Sequence, residues 1–114
     1  MANGMTDRTK FGTCGEEMAT RILDSMGLII LERNFRCKAG EIDIIGKRGD
    51  CYHFIEVKTR MGNTFGHPAD AVNNRKQLKI IQVAKYYLQQ HRISNVRVQF
   101  DVVEIEVNLL MNCF

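Results

Sequence analysis

A chain of 114 residues has room for one hydrophobic core, so residues 1–114 are expected to form a single domain. Its 45% hydrophobic and 25% charged content is that of an ordinary globular protein, and it holds no internal repeat or low-complexity segment. Sixteen Lys and Arg against 13 Asp and Glu leave a net charge of +3, too small to argue for nucleic acid by itself, although acids gathered at one site would leave the remaining surface more basic.

Residues 1 to about 10 are mostly polar and aperiodic, and a flexible start is expected there. A first helix is predicted from about Gly12 to Met26, stopped by Gly27, with Met18, Ala19, Ile22, Leu23 and Met26 as its buried stripe. On that helix Glu16 falls at the border of the stripe and Glu17 points away from it. Both also suit a helix N-terminus, where negative charge is stabilised. Leu28-Ile29-Ile30-Leu31 opens a strand whose apolar run predicts burial on both faces, continuing to Arg36. Arg33, Arg36 and Lys38 make a basic cluster, either a grip on phosphates or the charged protection of an edge strand.

Two alternating runs follow, Glu41-Ile42-Asp43-Ile44-Ile45 and His53-Phe54-Ile55-Glu56-Val57-Lys58, separated by a polar break. A two-residue turn at Gly49-Asp50 pairs residues whose numbers sum to 99, which sets Asp43 opposite Glu56 and Glu41 opposite Lys58. A four-residue loop keeps all four side chains on one face, whereas a three-residue loop splits them between faces. Opposed residues have Cβ atoms roughly 4.5–5.5 Å apart, and two carboxylates at that spacing repel unless a proton or a cation sits between them. A hard divalent cation, Mg²⁺ or Mn²⁺, suits such oxygen ligands. Lys58 would then position or deprotonate an attacking water, or neutralise charge on a phosphate. A solvated sheet face laced with cross-strand ion pairs alternates in the same way, and spacing alone does not separate the two readings.

A loop from Met61 to Pro68 leaves the second of these strands and is placed to border a substrate groove. A second helix is predicted from Pro68 or Ala69 to about Gln90, with a break near Asn73-Asn74. Leu78, Ile81, Ala84 and Leu88 form its expected buried stripe, flanked by Ile80 and Tyr87, and Arg75, Lys79, Gln82 and Tyr86 its exposed face. The last strand, Val96 to about Val107, changes apolar parity after Val102, which implies a bulge or burial on both faces. Asp101 reads as structural. The tail, residues 108–114, is apolar and would dock on its own domain or cover a partner subunit. Cys14, Cys37, Cys51 and Cys113 fit no zinc pattern and are expected to be free thiols in a reducing cytoplasm. No apolar run approaches the roughly 20 residues needed to span a membrane, and no membrane partner is expected.

An Asp, a hairpin and then Glu-x-Lys resembles the core of the PD-(D/E)XK nuclease superfamily, with Asp43, Glu56 and Lys58 in the motif positions. Four pieces resemble more closely the YraN-like family, itself similar to archaeal Holliday-junction resolvases. They are Gly15-Glu16-x-x-Ala19, Asn34-Phe35-Arg36 with Gly40-Glu41-Ile42-Asp43, Phe54-Ile55-Glu56-Val57-Lys58-Thr59-Arg60, and the helix containing Lys76-Gln77. Together they reach from about residue 12 to residue 107, and the one departure from the superfamily pattern is Ile42 in place of the Pro before the Asp.

The resemblance implies an α+β sandwich of restriction-endonuclease-like class, a mixed central sheet flanked by helices in the order α-β-β-β-α-β. It implies a Mg²⁺- or Mn²⁺-dependent deoxyribonuclease acting on branched or otherwise structured DNA, with no small-molecule cofactor. Asp43 and Glu56 would hold the metal, Glu16 would complete or orient its shell, and Lys58 would assist the attacking water. Glu41, as a further ligand or as the partner of Lys58, and Gln77 stand behind these, and Arg36, Arg60 and Lys79 are the expected phosphate contacts. A homodimer is left open. Two rivals stand beside this reading: a nuclease fold that binds DNA or protein without cutting, and a small interaction module with a merely solvated charged face.

Overall fold

The computed structural model describes residues 7–62 and 73–114. Helix α1 (Asp7–Ser25) is followed by strands β1 (Ile29–Cys37), β2 (Gly40–Arg48) and β3 (Cys51–Met61), helix α2 (Asn74–Gln90) and strand β4 (Arg97–Val107). The strands lie in the order β1-β2-β3-β4, with the first two pairings antiparallel and β3 parallel to β4. A parallel pair needs a crossover, and α2 lies between the two strands in the chain. The architecture is the expected α-β-β-β-α-β mixed sheet with two helices.

The turn between β2 and β3 is the two-residue one. Arg48 pairs with Cys51 and Ile44 with Ile55, so each pair sums to 99, and Gly49 supplies a φ of +59° that an ordinary side chain adopts reluctantly. On one side of the sheet Ala19 of α1 packs with Leu28, Ile44, Ile55 and Ile105. On the other, Phe35, Ile42, Ile45, Tyr52 and Phe54 pack with Val83, Ala84 and Tyr87 of α2. Ile42 and Ile44 therefore serve opposite faces although two residues apart, so the alternation breaks at Asp43. Both ladders skip this residue: the β1–β2 register passes from Arg33↔Ile44 to Phe35↔Ile42, and the β2–β3 register ends at Ile44↔Ile55. Asn34, across from Asp43, sits at φ +53°, a left-handed conformation that Asn tolerates better than most residues.

Several expectations are corrected. Helix α1 spans Asp7–Ser25, so residues 7–10 belong to a helix and not to a loose start, while residues 1–6 of that expectation lie outside the described residues. Its buried line is Gly15 and Ala19 with Leu23 partly covered, whereas Met18, Ile22 and Met26 are exposed. β1 is an edge strand, so burial on both faces fails: Leu28 is buried but Ile29 is 60% exposed. Helix α2 starts at Asn74, with Asn73 as N-cap accepting from the Lys76 amide. Its stripe is turned from the expected one: Val83, Ala84 and Tyr87 are buried, and Leu78 is 62% exposed. The start at Pro68 or Ala69, and most of the expected loop, lie outside the described residues, while β3 itself runs on to Met61. β4 has no bulge, because its eleven pairs with β3 keep one offset from Cys51↔Arg97 to Met61↔Val107. Its two apolar sets face opposite sides, with Ile105 buried under α1 and Val98, Phe100 and Val102 exposed. In the tail Leu109, Leu110, Met111 and Phe114 are exposed and do not dock on the domain. The four cysteines are free thiols. Among the described residues no helix is long and apolar enough to cross a membrane.

Candidate active site

The break at Asp43 creates the site. Freed from the ladder, the Asp43 carboxylate accepts the Val57 amide at 2.7 Å, taking the role a backbone carbonyl would have. This ties the end of β2 to the strand that carries Glu56 and Lys58. The Asp43 and Glu56 carboxyls come within hydrogen-bonding contact, and Asp43 is pushed up to about 7, first by burial and then by sharing a proton with Glu56. The accepted Val57 amide works against this rise without cancelling it, and the charges of Glu56 and Glu16 add to it. A proton held on a carboxyl near neutrality by a second carboxylate is one that a cation can replace.

Glu56 and Lys58 share a face of β3 with Phe54, toward α2. From that helix Lys76 extends its ammonium to 3.3 Å from Glu56 Oε2. The Glu56 side chain is only 13% exposed, so this pair is far less screened than a surface one. The Lys58 and Lys76 amines also meet. The contact with Lys76, followed by burial, holds Lys58 below the usual lysine range, against the opposing pull of Glu56 and Asp43. For Lys76, burial acts downward, but the contact with Lys58 and the Glu56 carboxylate outweigh it and the net shift is upward. Lys76 was not among the site residues expected from sequence. A signal did exist: with the buried stripe at Ile80, Val83, Ala84 and Tyr87, a lysine four residues before Ile80 falls on the inner face of α2.

Glu16 arrives from the opposite side, and a glycine makes that possible. A Cβ on Gly15 would fall against Thr59 Oγ1 and lie 2.6 Å from Thr59 Cγ2, so only glycine lets α1 settle onto β3 beside Lys58. Glu16 Oε1 is buried and has no hydrogen-bond partner among the described residues. Burial raises its pKa, Arg33 opposes the rise, and the charges of Glu41 and Glu56 reinforce it. A buried, unpartnered carboxyl oxygen is costly unless something binds it. Glu17 faces outward to Arg33 at 2.9 Å and Arg21 at 3.4 Å, away from the site.

Other expected residues part company. With Ile42 turned toward α2, Glu41 falls on the other side of the sheet from Lys58. The expected Glu41–Lys58 pair is thus replaced by Arg36 Nε–Glu41 Oε2 at 3.3 Å, between residues paired across β1 and β2. Arg36 itself remains 75% exposed, and Lys79 is exposed on α2. Arg60 is partly buried against Glu104 at 3.4 Å, which takes it out of the open surface. Gln77 lines, with Glu56, a cavity of about 310 Å³ between α2 and the sheet, walled by Ile42, Phe54, Ile80 and Phe100. Asp101 is structural in its contacts, bonded to His53 Nδ1 at 2.8 Å and accepting from Gln99 at 2.8 Å.

Among the described residues no three of His, Cys, Asp and Glu come together in a group that could hold a metal ion. A pair of carboxylates with water in the remaining positions is nonetheless a usual setting for Mg²⁺. The proton-sharing Asp43–Glu56 pair and the orphaned Glu16 oxygen have the donor chemistry for it.

A family model described as the uncharacterised protein family UPF0102 matches residues 15–105. Among similar proteins, the UPF0102 protein of Caldicellulosiruptor saccharolyticus is 42% identical over 95% of this chain and 99% of its own. Those of Clostridium kluyveri and Clostridium botulinum are 48% and 49% identical, covering 85% and 87% of this chain and 80% and 81% of theirs. The match runs from the glycine that seats α1 to the last buried residue of β4 and includes every acid of the site, so the chain belongs to the uncharacterised protein family UPF0102, the YraN-like family whose motif pieces it carries.

Proposed function

We propose that the chain is a Mg²⁺- or Mn²⁺-dependent deoxyribonuclease that hydrolyses phosphodiester bonds, with branched or structured DNA as its substrate class. The observation that carries this reading is the Asp43–Glu56 pair, two carboxyls brought into proton-sharing contact beside two lysines. Such an arrangement costs stability without a cation, and a structural role alone gives no reason for it. A bound divalent ion supplies Lewis-acid stabilisation of charge on the phosphate and acidifies water.

The rest falls to the chain's own residues. Asp43 and Glu56 would hold the cation, and Glu16 would orient its shell through the otherwise unpartnered oxygen. Lys58, held below the usual lysine range, is suited to accept a proton from the attacking water or to neutralise charge growing on the phosphate. Arg36 and Lys79, both exposed, would contact phosphates along the backbone. Arg60 would contribute less, since it is 22% exposed where Arg36, paired with a glutamate in the same way, is 75% exposed.

Two observations favour a second reading, a nuclease fold that binds DNA or protein without cutting. Lys76 already neutralises Glu56, and no third acid completes a cage among the described residues. A cleavage assay on duplex, single-stranded, flapped and four-way DNA, with and without Mn²⁺, separates the two. Metal-dependent cutting that vanishes in Glu56→Gln supports the nuclease; DNA affinity without turnover in any metal supports the silent module.

A further inference from the structure

We propose that Lys76 is a tethered counter-cation that competes with the divalent ion for Glu56, so that loading the site requires its ammonium to withdraw. The inference rests on the metal-dependent reading above and names the residue that sets the metal affinity.

The geometry supplies three reasons. First, Lys76 Nζ lies 3.3 Å from Glu56 Oε2, so it holds one of the two oxygens that Glu56 can offer an ion shared with Asp43. Positive charge already sits there, because Lys58 stands on the same face and in contact with Lys76, and a dication entering beside both would be repelled by each. Second, the two ends of the pair are unequally covered. Glu56 is 13% exposed and fixed in a strand, whereas Lys76 is 39% exposed on a flexible stem, so the lysine has a way out and the carboxylate does not. Third, the backbone of Lys76 is anchored. Its amide donates to the Asn73 side chain at 2.9 Å in the first turn of α2, so the ammonium can swing without the helix moving. The inner-face position also places a cation at the positive end of the helix, which is unfavourable by itself and is offset here by the carboxylates. A purely structural ion pair would use the same contact, and metal affinity separates the two.

The test is Mn²⁺ binding by titration calorimetry to the wild type, Lys76→Met, Lys76→Arg and Asp43→Asn, with thermal melts in chelator to confirm folding. Lys76→Met should bind Mn²⁺ more tightly by on the order of tenfold, the scale on which residues around first ligands alter metal affinity. Lys76→Arg, which keeps the charge, should stay near wild type. Unchanged or weaker binding by folded Lys76→Met overturns the competition. If that variant does not fold, the rate of amine labelling at Lys76 in the wild type, followed by mass spectrometry, decides the matter. Mn²⁺ should speed that labelling by freeing the ammonium, and an unchanged or slower rate overturns the proposal. Asp43→Asn separates the two claims. If it loses Mn²⁺ while Lys76→Met gains nothing, only the competition fails; if it binds like wild type, or if neither wild type nor Lys76→Met binds, the metal reading fails with it.

Discussion

Replacing Asp43 by Asn should stabilise the metal-free protein at alkaline pH, although the residue lies at the heart of the proposed site. Its carboxyl titrates at about 7 in the fold against an ordinary 3.8. Between those values the folded chain holds a proton that the unfolded chain has released, so stability falls as pH rises through the window, and above 7 the whole cost stands. A difference of about 3 units at about 1.4 kcal/mol each gives roughly 4 kcal/mol, and screening of a partly exposed group reduces this to about 2 kcal/mol. Asn removes the charge yet keeps a carbonyl to accept the Val57 amide, which Asp43 does at 2.7 Å. In thermal unfolding followed by circular dichroism in chelator, Asp43→Asn should melt above wild type at pH 8, by on the order of 8 °C for a domain of this size. The two curves should converge at pH 4, where both side chains are neutral in the fold. Adding Mn²⁺ should raise the wild-type midpoint and leave the variant's unchanged. Equal midpoints at pH 8, or a gap that does not close at pH 4, would refute the account of Asp43 as a carboxyl held against its charge.

Three further outcomes are expected. Gly15→Ala should destabilise by about 1–2 kcal/mol despite the better helix propensity of alanine, because the new methyl meets Thr59; Thr59→Ala should recover much of the loss, measured as a coupling energy in a double-mutant cycle. Lys58→Ala should keep Mn²⁺ binding and most DNA affinity while cleavage falls by about 10²–10³, and Arg at that position should rescue poorly, since a guanidinium neither fits the compact place nor gives up its proton. Arg36→Ala and Lys79→Ala should each reduce the salt dependence of DNA binding by about one unit on a log–log plot, whereas Arg60→Ala should change it less because Arg60 is only 22% exposed against 75% for Arg36.

The alternation of residues 41–58 and the Gly49-Asp50 turn were enough to place the hairpin, and the sum of 99 holds across every pair from Arg48↔Cys51 to Ile44↔Ile55. Period and turn chemistry are local, so a sequence carries them openly. The kink at Asp43 is not local. It depends on Asn34 across the sheet adopting φ +53°, and it sends Glu41 to Arg36 instead of Lys58. Apolar runs also misled where the sheet ends: Ile29 and Phe100 are β-formers in edge strands, and nothing in their own neighbourhoods says that no further strand or helix among the described residues covers them. On α2, the stripe anchored on Leu78 was turned by the competing set Ile80, Val83 and Tyr87, and that rotation is what brings Lys76 to Glu56. Gly15 and Glu16 were visible as a motif, but the reason for the glycine, the close approach to Thr59, needed the packed fold.

The central claim is that Asp43 and Glu56 form a divalent-ion site that cuts DNA, and turnover on four-way and flapped DNA tests it most directly. Wild type, Asp43→Asn, Glu56→Gln and Lys58→Ala would be compared in Mn²⁺ and in chelator. The account predicts Mn²⁺-dependent cleavage by the wild type, none by the two carboxylate variants, and a trace by Lys58→Ala, with all four proteins folded and binding DNA. Cleavage that persists in folded Glu56→Gln, or a wild type that neither binds divalent ions at millimolar concentration nor cuts any of these substrates, would contradict it.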